Sequence, residues 1–229
     1  GGAKRLSYAA SFGKTNFDAA TTRVYQQMLA SYDKITVRED SAVQMLESWG
    51  AKNCYGQVLD PTLLLSADEW IDLLVYEEMQ IKYASQKYIL VYQIHNDRQL
   101  SSYALRLAAH TGLKLLRVNP FMHQVHRGGK FVLCPDVTEF LSLIKNATYI
   151  VTDSFHGTCF SLTFEKQFIE VLPNNTTGTR NQSILALTGL SNRIVYDFDD
   201  FSIINRMINY QPVREILAKE RGRSVKMLK

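Results

Sequence analysis

The feature that most constrains the fold of this chain is a junction where a strand pattern passes directly into a helix pattern. Four β-prone residues at 149–152 predict a buried strand. Polar side chains follow at Asp153, Ser154 and His156, and the apolar run that begins at Thr158 predicts a helix. Ligands of open α/β sheets bind at such strand ends, and a helix N-terminus suits a phosphate or a carboxylate.

Strand and helix patterns alternate along the whole chain of 229 residues, which predicts α/β structure with parallel sheets and right-handed crossovers. Strands are predicted within residues 5–13, 34–37, 57–59, 87–94, 113–118, 149–152, 168–172 and 193–196. Helices are predicted at residues 21–32, 41–50, 67–76, 100–111, 136–144, 158–164, 179–187, 201–208 and 213–228. The polar residues 77–86 predict a domain boundary, and residues 121–132 predict a solvated loop. The expected division is therefore a partial N-terminal domain (1–80), a second domain (87–210) and a C-terminal helix (211–229).

Helix starts are predicted from capping patterns. Ser41 with Gln44 and Asp136 with Glu139 both match the capping box, in which a side chain three residues on reaches back to the cap. Gly50 is predicted to end the first of these helices.

Composition excludes several classes of protein. The net charge of +4 is mild and no basic stripe with interleaved aromatics occurs, so the chain is not predicted to bind nucleic acid. Cys54, Cys134 and Cys159 form no CxxC pair, which argues against zinc and disulfides and favours a reducing, cytoplasmic location. His123 and His126 lack a third ligand, so no metal is predicted. No apolar run has the length of a membrane span.

His156 is placed to exchange a proton near neutral pH if the junction is a functional site. The plainer interpretation is that Asp153 and Ser154 cap the helix and that His156 is a structural histidine. The pattern by itself supports both interpretations equally.

Five sequence blocks, in the same order, give the chain a resemblance to the polysaccharide pyruvyl transferase family. They lie at residues 7–13, 37–41, 58–64, 139–141 with 146–147, and 152–157. The resemblance implies two Rossmann-like domains facing across a cleft, as in GT-B glycosyltransferases. It also implies earlier strands before the first block, so the N-terminal domain is expected to be incomplete. The implied activity is transfer of a pyruvyl group from phosphoenolpyruvate to two hydroxyls of a sugar. The expected product is a ketal on a bacterial cell-surface polysaccharide, such as an exopolysaccharide, or on its precursor.

The resemblance also suggests the catalytic residues. His156 matches the family histidine and is predicted to transfer the proton, with Asp153 orienting it or the acceptor. Ser154 and Phe155, inside the motif, are predicted to contact substrate. His95 follows the first strand of the second domain and is expected to line the cleft, although a histidine without a chemical role explains it as well.

Binding of the donor phosphate is less directly implied, because some relatives carry arginine where this chain has Ser154. The prediction assigns the phosphate to the backbone N–H groups of Gly157 and Thr158, helped by Arg180 or Arg38. Either arginine could instead lie on the surface or form a structural salt bridge.

Phosphoenolpyruvate is expected to be the donor substrate, and the resemblance implies no cofactor or metal. Two other classes stay open. One is a glycosyltransferase of the GT-B type with a nucleotide-sugar donor, and the other is a non-catalytic module that binds a sugar or an anion. A classical dinucleotide enzyme is disfavoured because no GxGxxG follows any predicted strand. The sequence predicts neither the acceptor sugar nor the oligomeric state.

Overall fold

The structure, a computed structural model, describes residues 3–73, 83–119, 121–173 and 178–228. The chain divides into two compact units. The N-terminal unit contains residues 1–64, 174–190 and 212–229, and the central unit contains residues 65–173 and 191–211. The predicted division at residues 80–87 differs from this one, and residues 77–82 of the predicted boundary lie outside the described residues. The C-terminal helix is not a separate region, because it belongs to the N-terminal unit.

The described strands and helices alternate as predicted. The strands are β1 (Leu6–Ala10), β2 (Lys34–Val37), β3 (Cys54–Gln57), β4 (Tyr88–Tyr92), β5 (Lys114–Asn119), β6 (Lys130–Leu133), β7 (Tyr149–Thr152) and β8 (Gln167–Glu170). The α-helices are α1 (Ala19–Leu29), α2 (Asp40–Ser48), α3 (Ala67–Leu73), α4 (Arg98–Thr111), α5 (Val137–Asn146), α6 (Phe155–Thr163), α7 (Thr179–Leu187) and α8 (Gln211–Leu228). Among these described helices, none is both long and apolar enough to cross a membrane.

The N-terminal unit is built on a parallel sheet with strand order β1-β2-β3. Its core consists of apolar residues from β2 and α2, because the helix lays one face on the sheet. The buried members of this core are Ile35, Val37, Ala42 and Leu46. Helix α7 and most of α8 belong to the same unit.

The central unit is a parallel sheet of order β6-β5-β4-β7-β8. The chain runs from β4 outward to β6 and then crosses back to β7 on the other side of β4. Strand order therefore reverses between β4 and β7, which makes their carboxyl ends a topological switch point. The core is dominated by apolar side chains from β4, β7, β8 and α4.

Three predicted elements are wrong, and a fourth, the strand predicted at residues 57–59, lies earlier in the chain as Cys54–Gln57. The last residues of the loop predicted at 121–132 belong to the edge strand β6, which is short and only partly buried and so lacks a strong apolar signal. The strand predicted at 193–196 is a single bridge between Glu170 and Ile194. The helix predicted at 201–208 is one 3₁₀ turn, Ser202–Asn205.

The two capping predictions have different outcomes. Asp136 caps α5 by accepting a hydrogen bond from the backbone N of Glu139 at 2.7 Å, as predicted. Ser41 does not cap α2, which begins one residue earlier and has Glu39 at its cap position without a side-chain cap bond. The buried Glu39 carboxylate instead accepts three hydrogen bonds from residues 11–13 and so fixes the loop after β1.

Candidate active site at the switch point

The carboxyl ends of β4 and β7 lie side by side, and polar residues follow each strand. The two strands pair in register up to Tyr92 and Thr152. The hydroxyl of Thr152 donates to the carbonyl oxygen of Tyr92 at 2.7 Å, which ties the two strand ends together. We call residues 92–97 and 152–158 the switch-point site.

Asp153 is the buried anchor of this site, with a side chain that is only 1% exposed. One carboxylate oxygen accepts the backbone N–H of Ile94 at 2.7 Å. The other accepts the backbone N–H of His95 at 3.0 Å and lies 3.2 Å from Nδ1 of the His95 ring. Burial raises the pKa of Asp153, while its hydrogen bonds with Ile94 and His95 oppose that shift. The carboxylate thus holds the loop that follows β4.

The orienting role predicted for Asp153 therefore points to a different histidine. Its hydrogen bonds among the described residues go to Ile94 and His95 rather than to His156. The family resemblance suggested His156 as one partner because both residues lie in the same motif. The parallel register instead brings the β4 loop directly against the end of β7.

Helix α6 begins at Phe155, three residues before the predicted start, and this changes the roles of the motif residues. Ser154 is the N-cap, and its hydroxyl accepts the backbone N–H of Gly157 at 3.3 Å. The backbone N–H of Thr158 donates to the carbonyl oxygen of Ser154 at 3.0 Å. These N–H groups are engaged within the helix, which gives no support to the prediction that they bind the donor phosphate, and that binding stays a prediction.

Gly157 is a packing residue. A Cβ at this position would lie 2.3 Å from the hydroxyl of Thr152 and 3.0 Å from a ring carbon of Tyr92. Only glycine lets α6 pass this close to the two strand ends.

Thr158 and Phe155 are also placed in the interior rather than toward a ligand. The Thr158 hydroxyl lies 2.5 Å from a carboxylate oxygen of Glu170, and both side chains are buried. Phe155 is buried as well. The residues of the motif predicted to contact substrate, namely Ser154, Phe155, Gly157 and Thr158, are thus explained by the start and packing of α6.

His156 is the exposed residue of this motif. It lies in the first turn of α6, and its ring centroid is 5.5 Å from that of Phe155. His95 is half-buried, with 32% of its side chain exposed. The structure therefore brings two histidines to one edge of one sheet, each following a different central strand, and this arrangement can support proton transfer.

The two predicted arginines belong to the N-terminal unit. Arg38 forms a salt bridge with Asp60, whose side chain is almost completely buried. This is the structural role that the sequence left open. Arg180 is half-buried and is the second residue of α7, directly after residues 174–177, which lie outside the described part of the chain.

Tyr92 is a site residue that the sequence did not single out. Burial raises its pKa, its side-chain hydrogen bond with Ser154 lowers it, and the nearby Asp153 charge raises it. Its ring packs against Phe140 with centroids 4.9 Å apart. The available signal was its position as the last residue of an apolar strand that ends at the predicted site.

No group of three or more His, Cys, Asp or Glu side chains able to hold a metal ion is present within residues 3–73, 83–119, 121–173 and 178–228.

Comparison with known proteins identifies a family and a fold. The sequence model for polysaccharide pyruvyl transferase matches residues 1–176 of the chain. A search of curated protein sequences gives no match.

Solved structures that resemble the chain include MnaA and two UDP-GlcNAc 2-epimerases. MnaA of S. aureus, in complex with UDP, gives a TM-score of 0.58 at 16% identity, and the alignment covers 94% of this chain and 60% of MnaA. The UDP-GlcNAc 2-epimerase of Neisseria meningitidis, bound to UDP-GlcNAc, gives 0.60 at 13% identity, with coverage of 98% and 69%. The UDP-GlcNAc 2-epimerase of Methanocaldococcus jannaschii gives 0.61 at 14% identity, also with coverage of 98% and 69%. The chain thus spans 60% to 69% of the length of these proteins, and the likeness confirms the predicted Rossmann-like, GT-B-type α/β architecture.

Proposed function

Because the chain belongs to the polysaccharide pyruvyl transferase family, we propose that it transfers a pyruvyl group from phosphoenolpyruvate to a saccharide. The product is a pyruvate ketal on a cell-surface polysaccharide or its precursor. The observation that carries this proposal at the site is the exposed His156 in the first turn of α6, beside the switch point of the central sheet.

The reaction needs a proton donor at the methylene carbon of phosphoenolpyruvate. Protonation there leaves the neighbouring carbon electron-poor, so that a sugar oxygen can attack it. Imidazolium is a suitable acid near neutral pH, and we assign this role to His156. The partial positive charge at the start of α6 attracts the anionic donor.

The donor phosphate needs a cation as well. Arg38 has a structural role in its salt bridge with Asp60, and the assignment of the donor phosphate to the guanidinium of Arg180 stays the prediction made from the sequence. We propose a cytoplasmic location, as the cysteine usage of the sequence predicts.

The test is acceptor-dependent release of phosphate from phosphoenolpyruvate, measured over a panel of saccharide acceptors for the wild type and for His156→Asn. We expect the variant to lose about 100- to 10,000-fold in rate, the usual contribution of a general acid. His110→Asn is the matched control, because His110 lies exposed in the last turn of α4, at the opposite end of that helix from the site. Unchanged phosphate release in His156→Asn would rule out this role.

A second candidate is transfer of a sugar from a nucleotide-sugar donor. The observation in its favour is that the similar structures include complexes with UDP and UDP-GlcNAc, although at 13–16% identity this likeness concerns the fold. Thermal stabilisation by a UDP-sugar, without phosphate release from phosphoenolpyruvate, would favour this candidate. Binding of free saccharide without turnover of either donor would indicate a non-catalytic module.

A further inference from the structure

We infer that His95, held by Asp153, is a second proton-transfer residue of the switch-point site and accepts the proton of the attacking saccharide hydroxyl. This inference rests on the proposed pyruvyl transfer and adds a residue to it. Asp153 is the positioning residue, since it would act through His95 and not on the substrate.

The contacts of Asp153 determine which nitrogen of His95 carries the hydrogen. Both carboxylate oxygens accept backbone N–H groups, from Ile94 at 2.7 Å and from His95 at 3.0 Å. Backbone N–H groups only donate, and their bonds to both oxygens oppose the rise in the pKa of Asp153 that burial causes, so we treat the carboxylate as ionised near neutral pH. An ionised carboxylate only accepts, and therefore Nδ1 of His95, 3.2 Å away, must donate to it.

This tautomer leaves Nε2 of His95 with a lone pair that is able to accept a proton. The only side-chain hydrogen bond that His95 makes within the described structure is the one through Nδ1. Its backbone is fixed independently, because its carbonyl oxygen accepts the side-chain amide of Gln93 and the backbone N–H of Asp97, both at 2.9 Å. A histidine oriented by a buried carboxylate and open at its other nitrogen has the arrangement of a general base.

Two proton carriers satisfy the proton balance of ketal formation. In the first half, a sugar oxygen bonds to the central carbon of phosphoenolpyruvate and loses its proton to neutral His95, while the His156 imidazolium protonates the methylene carbon. In the second half, the bond from that carbon to the phosphate oxygen breaks, and His95 returns its proton to the departing phosphate. The second sugar hydroxyl bonds to the same carbon and gives its proton to His156. Both histidines then regain their starting states, and the products are the ketal and hydrogen phosphate.

His95→Asn is the informative variant, because an asparagine amide can still donate to Asp153 but has no nitrogen that accepts a proton. With phosphoenolpyruvate and the acceptor that is active with the wild type, we expect kcat for phosphate release to fall about 100- to 10,000-fold. We expect KM for phosphoenolpyruvate to change less than threefold. Added imidazole should restore part of the activity of His95→Ala, and His110→Asn should match the wild type.

A measurement independent of activity tests the pairing itself. Two-dimensional NMR of ¹⁵N-labelled histidine side chains in the full chain should show the neutral His95 ring protonated on Nδ1. In Asp153→Asn this preference should be lost.

The outcomes separate the two proposals. A His95→Asn rate within threefold of the wild type, absence of imidazole rescue in an inactive His95→Ala, or a ring protonated on Nε2 would each overturn the role of His95. If the wild type releases no phosphate with any acceptor, the proposed pyruvyl transfer is wrong, and the role of His95 in that reaction is wrong as well. The NMR result then shows whether the pairing of His95 with Asp153 is real.

Discussion

At the scale of single residues, the salt bridge with Asp60 gives Arg38 a structural role, whereas the sequence allowed either this role or binding of the donor phosphate. The Asp60 carboxylate also accepts the backbone N–H and the hydroxyl of Thr62, so it is anchored and almost fully buried. We expect Arg38→Ala to lower the free energy of unfolding by about 1–3 kcal/mol. This lies below the cost of breaking a fully buried pair because Arg38 is 19% exposed.

Chemical denaturation of Arg38→Ala measures this cost, with Arg23→Ala as the control on the exposed surface of α1. The control should change stability by less than about 0.5 kcal/mol. Equal stabilities for the two variants would contradict the structural role and return Arg38 to the candidates for binding the donor.

The sequence located the candidate site at this scale but did not give the role of each residue in it. The position of the motif 152–157 after a strand predicted where the site lies. Which side chains face outward depends on where α6 begins, and the Ser154 cap moves that start to Phe155. His156 is left exposed while its neighbours are buried. The pairing of Asp153 with His95 spans 58 residues and depends on strand register, which local patterns do not encode.

At the scale of helices and strands, the contact of α6 with the ends of β4 and β7 depends on the missing side chain of Gly157. We expect Gly157→Ala to destabilise the protein by about 1–3 kcal/mol, because the new Cβ would lie 2.3 Å from the Thr152 hydroxyl. Moving that hydroxyl would weaken its hydrogen bonds to Tyr92 and Ser154.

Gly222→Ala is the matched control, because Gly222 is also helical but a Cβ there would have no atom within 4 Å apart from its chain neighbours and the backbone of its own helix. There alanine should stabilise the protein by about 0.5–1 kcal/mol through helix propensity alone. Thermal unfolding of the two variants should therefore shift in opposite directions. Shifts of the same sign would show that close packing of α6 is not what requires glycine at position 157.

Element prediction worked where burial and local chemistry agree. The strands β2 and β7 were predicted to the residue, and α4 ends at Gly112 as its glycine indicated, with a left-handed φ of 67°. The edge strand β6 and the residues after Gly189 were misassigned. Pairing with a neighbour, rather than their own pattern, decides their conformation.

At the scale of the whole molecule, the N-terminal unit consists of three separate segments of the chain. Hydrogen bonds between residues far apart in sequence join the first of these segments to the last. Ser224 accepts the backbone N–H of Leu59 at 2.9 Å, across 165 residues. Arg221 donates to the carbonyl oxygen of Leu63, and Lys34 donates to that of Met227, each at 2.9 Å. Local sequence patterns do not encode these pairings. The sequence therefore predicted two consecutive domains, whereas in the structure the segments of the two units alternate along the chain.

Helix α8 should therefore stabilise the N-terminal unit specifically. It buries Val213 and Leu217, each worth about 1.5–3 kcal/mol when fully buried. The buried Ser224 hydroxyl accepts the backbone N–H of Leu59. We expect a chain that ends at Tyr210 to lose hydrogen-exchange protection in β1, β2 and β3 while β4, β5 and β7 keep theirs. Ser224→Ala should produce a smaller change in the same strands, about 1–2 kcal/mol, because it removes one hydrogen bond and leaves the helix in place. Equal loss of protection in both sheets would show that the chain unfolds as one cooperative unit, and unchanged exchange in β1–β3 would show that α8 contributes nothing to their stability.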